Sequence, residues 1–256
     1  MKNGIRYHSY RKWFIRAVLF LCVAFFIYIV SSAILYSRYN AKDVRCTGLL
    51  FQLKFQLCEY HDMNHTFPDF ADQNGRPTWS WRAAMLPYFA PNDYKKIRLD
   101  EPWNSVHNLP VVKIIDPRVE ESMACPFLFW HNKHAAYVAV TGEGTAWTEI
   151  NKGTVTLEEC EDMILLIETE NPRNHWAEPG DDMSPEEVIA IFEAYKKRKE
   201  TYFPPARHPA KCLGTAGRRA MSFDDFKDVE ELKKHLIISP RDPLQKNRNE
   251  ESPKYD

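Results

Sequence analysis

Residues 17–37 form one uninterrupted apolar stretch, AVLFLCVAFFIYIVSSAILYS, without a charged residue. A helix rises about 1.5 Å per residue, so about 20 apolar residues cross the hydrocarbon core of a bilayer. The pattern therefore predicts a transmembrane helix over residues 13–37. A cleaved signal peptide is the alternative, with a candidate cleavage site at residues 31–33, but its apolar region normally has only about 7–15 residues.

The charges on the two sides of this stretch are unequal. Five basic residues and no acidic residue precede it: Lys2, Arg6, Arg11, Lys12 and Arg16. Arg38, Lys42 and Arg45 follow it, together with Asp43. The positive-inside rule then places residues 1–12 in the cytoplasm and residues 38–239 in an extracytoplasmic domain. The bilayer, through residues 13–37, is thus the first predicted partner.

A second apolar pattern, with helical spacing, follows the span. Its members are Leu49, Leu50, Leu53, Leu57 and Tyr60, and we expect Phe51 and Phe55 to widen this stripe. The sequence has no proline before Pro68. We therefore expect the span and the stripe to form one helix of about 50 residues and about 75 Å, which Pro68 ends.

The middle of the chain mixes short helical and strand patterns. Residues 78–89 predict a short helix stopped near Pro87. Apolar runs at residues 134–142 and 162–170 predict strands, and the remaining segments of this region, rich in Pro, Asn and Trp, are interpreted as loops.

The last third begins with a helix signal. Ser184-Pro185-Glu186-Glu187 is a capping box, and the apolar face that follows it includes Val188 and Phe192. Residues 212–223 predict a strand and turn, and residues 228–238 a short amphipathic helix. Residues 240–256 are polar and are predicted to be disordered. Together these elements predict an α+β chain, with a long N-terminal helix, strands and additional short helices.

Composition adds few constraints. The chain has 256 residues, of which 44% are hydrophobic, enough for one substantial core. Its formal net charge of -1 gives no global basic field, so we predict no nucleic-acid partner. The sequence contains no Walker loop, no G-x-S-x-G motif and no dinucleotide-binding fingerprint.

Five of the six cysteines lie outside the predicted span: Cys46, Cys58, Cys125, Cys160 and Cys212. Because the number is odd, at least one of them is a free thiol or pairs between chains if the others form disulfides. Cys46 and Cys58 would lie about 18 Å apart on one helix and could not bridge there. No C-x-x-C motif is present, which argues against a cysteine–zinc site.

The pentapeptide His61-Asp62-Met63-Asn64-His65 has the histidine spacing of the H-E-x-x-H zinc motif, with Asp in place of Glu. A zinc protease also needs a third ligand, and Phe67-Pro68 stand where the extended motif has a glycine turn. The preferred interpretation is a polar helix end, in which His61 or Asp62 bonds to the following loop. We therefore assign no catalytic, cofactor-binding or metal residue.

Other candidate sites rest on weaker patterns. His131 and His134 have metal-ligand spacing and could join His61 or His107, but no pattern brings them together. Asp181-Asp182 resembles an acidic pair of metal–nucleotide sites, yet it adjoins the predicted helix cap. Asn64-His65-Thr66 fits a glycosylation sequon. Six tryptophans after the span predict a core or, alternatively, a binding platform: Trp79, Trp81, Trp103, Trp130, Trp147 and Trp176.

A series of short blocks from residue 44 to residue 237 resembles a known family. The blocks are LLFQLKFQLCEYHDMNHTFP, WSWRAAMLPYF, EPWNSVHN, ACP, AAYVAVTGEGTAW, ILLIETE and HWAEPGDDM, in this order. The chain is similar to bacterial pseudopilin-like proteins, related to the type II secretion protein G, that carry a domain of unknown function and a C-terminal His-x9-Asp-Gly signature. This resemblance implies a pilin-type α+β layout, in which a long N-terminal transmembrane helix packs on an antiparallel sheet with additional short helices. It also implies no established enzymatic activity.

The chain departs from that family at both ends. Gly4 is followed by Ile5-Arg6-Tyr7-His8-Ser9, without the acidic fifth residue of a prepilin peptide, so processing by a prepilin peptidase is not expected. His208 is followed after seven residues by Ala216-Gly217, so the signature lacks its Asp and is two residues short.

These observations favour a single-pass, membrane-anchored protein with a structural or interaction role outside the cytoplasm and with protein partners in a secretion or envelope assembly. No cofactor is predicted. Two other hypotheses stay open. One is an anchored module that binds a cell-wall polymer or glycan through loops rich in Trp and Asn. The other is a metal-dependent enzyme that uses His61 and His65.

Overall fold

The computed structural model describes residues 3–123, 136–169, 174–180, 182–201, 212–217 and 220–238. The chain divides into two compact units, Met1–Arg45 and Cys46–Asp256. Helix α1, Asn3–Asn64, supplies all described residues of the first unit and the first residues of the second.

The first unit contains an apolar helical segment with no protein around it. From Trp13 to Ser37 nearly all side chains are exposed, and an 18-residue window with a mean hydropathy of 2.7 has none of its residues buried. Apolar side chains at this density are stable in lipid rather than in water. Among the described residues this is the one candidate membrane span, and it lies near the N-terminus, as the sequence predicted.

In the second unit, α1 buries Cys46, Leu50, Leu53 and Leu57, which recur every three or four residues along one side of the helix. The expectation for Phe51 and Phe55 is wrong, because these rings are 45% and 54% exposed. At about 100° per residue, they lie roughly 130° and 170° from the centre of the buried side. The flanks of the stripe are instead formed by Lys54 and Gln56, both buried.

The helix ends four residues before Pro68, at Asn64. His65 has a left-handed backbone with φ of 60°, and its N–H donates to the carbonyl oxygen of His61 at 2.6 Å. This is the αL type of helix termination, a place where glycine is the usual residue. The predicted long helix is therefore confirmed, but its end is set by the conformation of His65 rather than by Pro68.

The main sheet has four antiparallel strands in sequential order. They are β3, Tyr137–Ala139; β4, Ile164–Glu168; β5, Cys212–Thr215; and β6, Ala220–Ser222. β3 and β4 confirm the two predicted strands, and β5 and β6 confirm the predicted strand and turn. A separate two-stranded ladder, β1 at Phe70–Ala71 and β2 at Pro77–Trp79, was not predicted.

Both faces of the main sheet are covered. Tyr137 and Ala139 belong to the core that includes the buried side of α1, and the Tyr137 hydroxyl donates to the carbonyl oxygen of Cys46 at 3.1 Å. Val138 and Val140 alternate with them and belong to a second core. That second core is formed with helices α6, Pro185–Thr201, and α7, Val229–Leu236. The fold is thus α+β, with helices on both sides of an antiparallel sheet.

Among the described residues, six helical elements lie between α1 and α6. They are a 3₁₀ helix at Trp81–Met85, α2 at Leu86–Phe89, α3 at Pro91–Tyr94, α4 at Asn108–Met123, α5 at Ala146–Asn151 and a single 3₁₀ turn at Glu158–Cys160. The first two lie within the helix predicted over residues 78–89, and the other four were not predicted. Pro87 does not stop a helix. It lies in the first turn of α2, where backbone N–H groups have no intrahelical acceptor, so a proline costs the helix no hydrogen bond. The region interpreted as loops also contains the 16 residues of α4, which include Pro117.

The capping box of α6 is formed as predicted. The Ser184 N–H donates to Oε2 of Glu187 at 3.0 Å, and the Glu187 N–H donates to Oγ of Ser184 at 3.3 Å. α7 is the predicted amphipathic helix and is capped by Asp228, which accepts from the Glu231 N–H. The predicted disordered tail, residues 240–256, lies outside the described residues.

Candidate functional site

The zinc-like pentapeptide lies at the end of α1, but its two histidines point to different environments. The His61 side chain is only 15% exposed, and its Nδ1 lies 3.8 Å from Oδ1 of Asp62. His65 follows the last helical residue and is exposed. The zinc motif needs both imidazoles one turn apart on the same helical face. Because His65 has left the helix, that spacing is not formed.

The ring of His61 packs against an aromatic column. Its ring lies 5.5 Å from the ring of Phe67, which stacks on Trp147 at 4.6 Å, and Trp147 meets Trp81 edge-on at 6.1 Å. Nδ1 of His61 is buried and has no hydrogen-bond partner among the described residues. The column joins the end of α1 to the 3₁₀ helix and to α5.

The hydrogen bonds that fix the loop after α1 come from Asn151. The Phe67 N–H donates to Oδ1 of Asn151 at 2.6 Å, and Nδ2 of Asn151 donates to the Phe67 carbonyl oxygen at 3.3 Å. The structure gives no such bond from His61 or Asp62, so the expectation for these two residues is corrected. A residue 84 positions away in sequence performs this role, which no local pattern indicates.

Most of the tryptophans build the core. Trp79, Trp81, Trp147 and Trp176 are buried, as the core interpretation predicted. Trp103 is partly exposed, and Trp130 lies outside the described residues. Within the described part of the second unit, Trp103 is therefore the only indole that an external ligand could reach.

Trp103 belongs to a polar–aromatic cluster that the sequence analysis did not identify. Its indole stacks on the imidazole of His175 at 4.8 Å, with the two planes within 9°. Nδ1 of His175 accepts from the Ala177 N–H at 3.2 Å, so Nε2 carries the proton in the neutral ring. Nε2 of His175 lies 3.2 Å from Oδ1 of Asp116. The indole N–H of Trp176 donates to the same oxygen at 2.8 Å.

This Asp–His pair superficially resembles a catalytic dyad. In such a dyad the carboxylate orients the imidazole and the other ring nitrogen is available to take a proton. Here that nitrogen, Nδ1 of His175, already accepts a hydrogen bond from the Ala177 N–H. The pair therefore orients the 174–180 segment against α4, where Asp116 lies, and both ring nitrogens of His175 already have a polar partner.

A third cluster fixes the end of β5 to α1. Nζ of Lys54 donates to the Gly217 carbonyl oxygen, and the Cys58 thiol donates to the Ala216 carbonyl oxygen at 3.5 Å. Burial raises the pKa of the Cys58 thiol and lowers the pKa of Lys54, which keeps the thiol protonated and weakly nucleophilic. The backbone of Ala216 and Gly217 thus has a structural role.

The remaining candidates are dispersed. Nε2 of His107 donates to the Lys96 carbonyl oxygen at 2.9 Å, and Asp182 is exposed beside the cap of α6. Cys46, Cys160 and Cys212 are buried. His131, His134, Cys125, Asp181 and His208 lie outside the described residues. Among the described residues, no three His, Cys, Asp or Glu side chains are grouped to hold a metal.

Comparison of the sequence with protein-family models and with curated proteins, and of the fold with solved structures, finds no match.

Proposed function

We propose that the chain is a single-pass membrane protein whose second unit is a pseudopilin-like domain with a structural or interaction role outside the cytoplasm. The observation that carries this proposal is that two parts of α1 have different surroundings. Residues 13–37 are apolar and exposed, whereas residues 46–57 bury one side in the core of an α+β domain with an antiparallel sheet. An anchor helix that also serves as a core helix is the layout that the family resemblance implies.

The chemistry of the polar clusters supports a non-enzymatic role. His61 packs on an aromatic ring, and both ring nitrogens of His175 have partners. Lys54 and Cys58 bind backbone carbonyl oxygens. In each case the polar group stabilises the fold, which leaves no activated nucleophile or base in these clusters.

The exposed side of α1 in the second unit supports a role in protein interactions. Phe51 and Phe55 are about half exposed, one turn apart, on the same helix as the candidate membrane span. Membrane anchoring of two proteins brings such helices together at high effective concentration. We propose that this aromatic face packs against a helix of another anchored component of a secretion or envelope assembly.

Protease protection in sealed cells tests the orientation. With an epitope tag at each end, external protease should remove the C-terminal tag and leave the N-terminal tag intact, because the five basic residues before the span retain the N-terminus in the cytoplasm. Protection of the C-terminal tag would contradict the orientation. N-terminal sequencing that starts beyond Ser31 would show cleavage and contradict the anchor.

A photo-crosslinking amino acid at Phe55 tests the interaction role. It should trap a membrane protein, whereas the same probe at Ile114, also an exposed apolar position of the second unit, should not. Without the acidic fifth residue of a prepilin, the chain should also be absent from sheared filaments. Its presence in filaments, or the absence of any crosslink at Phe55, would contradict this part of the proposal.

A further inference from the structure

The N-terminal segment, residues 2–16, concentrates positive charge ahead of the uncharged stretch at residues 17–37. Lys2, Arg6, Arg11, Lys12 and Arg16 are its charged residues, and the first acidic residue of the chain is Asp43. Since α1 begins at Asn3, the backbone from Arg6 to Arg16 rises only about 15 Å along the helix axis. Neighbouring basic residues between Arg6 and Arg16 are about 8 Å apart or less along the axis, which is within the Debye length of about 8–10 Å at physiological salt, so their charges act on one common region.

The other end of the span is different. Arg38, Lys42 and Arg45 are accompanied by Asp43, so the formal charge there is three minus one, or +2, whereas residues 1–16 carry five minus zero, or +5. The denser group of basic residues, with no acidic residue to offset it, is thus on the N-terminal side of the span. It points to a partner of negative charge on the N-terminal side.

We propose that residues 2–16 bind the head groups of anionic phospholipids in the leaflet on the N-terminal side of the membrane. The inference rests on the proposed membrane span. A juxtamembrane run of four to eight Lys and Arg residues is attracted to anionic lipid, and each basic residue adds to the attraction. Three of the five are arginines, whose planar guanidinium can bind a phosphate through two hydrogen bonds.

The position of Trp13 favours lipid over a soluble anionic partner. Trp13 lies between Lys12 and Arg16 at the start of the span, and its side chain is 71% exposed. Tryptophan at this depth locates in the interface between head groups and acyl chains. The basic residues on either side of it are then within one or two helical turns of the phosphates, which no soluble ligand matches in effective concentration.

Trp13 also provides the measurement. The full-length protein is reconstituted in vesicles of equal parts phosphatidylglycerol and phosphatidylcholine, with brominated acyl chains on one lipid or the other. The Trp13 signal is the difference between the wild-type protein and the Trp13→Phe variant. We expect phosphatidylglycerol to quench Trp13 at least about twofold more than phosphatidylcholine, and this preference should decrease in 1 M salt.

Two variants assign the preference to the basic segment. Replacing all five basic residues of the segment with Gln should equalise quenching by the two lipids. Replacing Arg38, Lys42 and Arg45 with Gln should leave the preference unchanged, because these residues lie at the other end of the span.

The quenching results test the lipid site and the membrane span separately. Equal quenching by both lipids in the wild-type protein would overturn the lipid site and leave the span intact. A preference that persists after the five substitutions would also overturn it. Failure of both brominated lipids to quench Trp13 would contradict the span itself, and the lipid site with it.

Discussion

Gly217 donates its N–H to the carbonyl oxygen of Glu161 at 2.7 Å, and a Cβ atom on Gly217 would lie 2.7 Å from that same oxygen. Because the obstacle is backbone, it cannot rotate away. We expect Gly217→Ala to decrease the free energy of unfolding by about 1–3 kcal/mol, the usual cost of overpacking. Urea unfolding of the full-length protein in detergent, followed by fluorescence of the buried tryptophans, measures the change.

Gly48→Ala is the matched control for this substitution. Gly48 is an exposed residue inside α1, and a Cβ there meets nothing within 4 Å. Since alanine is the better helix former, Gly48→Ala should increase stability by up to about 1 kcal/mol. Equal effects of the two substitutions would show that the contact between Gly217 and Glu161 does not constrain the fold.

Asn108, the first residue of α4, is buried and bonds to the backbone of the preceding loop. Its Oδ1 accepts from the Arg98 N–H at 3.0 Å, and its Nδ2 lies within 3.3 Å of three carbonyl oxygens, those of Arg98, Glu101 and Pro102. Asn108→Ala leaves the Arg98 N–H without its acceptor and removes one of the donors to each of the three carbonyl oxygens, which also accept from Trp79 or from backbone N–H groups. This loss should cost about 1–3 kcal/mol. Asn104→Ala, an exposed position in the same loop, should change stability by less than about 0.5 kcal/mol. Comparable losses would contradict this role of Asn108.

How far the sequence predicted the fold depended on whether a local pattern existed. The span, β3, β4 and α6 each carry their own signal, an apolar run or a capping box. Helix α4 also carries a local pattern, because its buried residues Val112, Ile115 and Val119 recur at helical spacing. Pro117 and the surrounding Pro and Asn residues, however, favoured a loop in the sequence-based prediction. The two-residue strand β1 is too short for any pattern.

Asp93 should make stability depend on pH in the acidic range. Its carboxylate bonds to Lys96 at 2.8 Å and to Arg118 at 2.9 Å. The hydrogen bond from Lys96, with the charges of Lys96 and Arg118, lowers the pKa of Asp93 below its ordinary value of 3.8. A carboxyl whose pKa is lower in the folded state stabilises the fold above the unfolded pKa, and this contribution is lost as pH falls through the folded pKa.

The comparison with Asp93→Asn measures that contribution. The difference in unfolding free energy between the wild-type protein and this variant should be constant near neutral pH and should shrink below pH 3.8. A Lys96→Gln background should weaken the dependence, because it removes the main cause of the pKa shift. A difference that does not vary with pH would refute the prediction.

The candidate site was less predictable than the fold because its contacts join residues distant in sequence. Asp116 and His175 are close in space but 59 positions apart, and each belongs to a segment whose local pattern indicates only a helix or a loop. The histidine spacing at residues 61 and 65 is, conversely, a strong local pattern that the structure does not use. Its meaning depends on the backbone of one residue, His65, and helical periodicity does not report where a helix ends.

The two histidines should therefore respond to substitution in opposite directions. His61→Ala removes the ring that packs on Phe67 and should destabilise the protein by about 1 kcal/mol. A non-glycine residue adopts the left-handed backbone of position 65 at a cost of about 1 kcal/mol. His65→Gly removes this cost and should stabilise the protein by a similar amount. A zinc site would reverse the second result, because loss of either ligand removes the metal and the folding energy coupled to it. Urea midpoints measured with and without a chelator distinguish the two cases: opposite shifts that the chelator does not alter support a helix end, whereas two losses and a chelator-sensitive wild-type protein would establish a metal site.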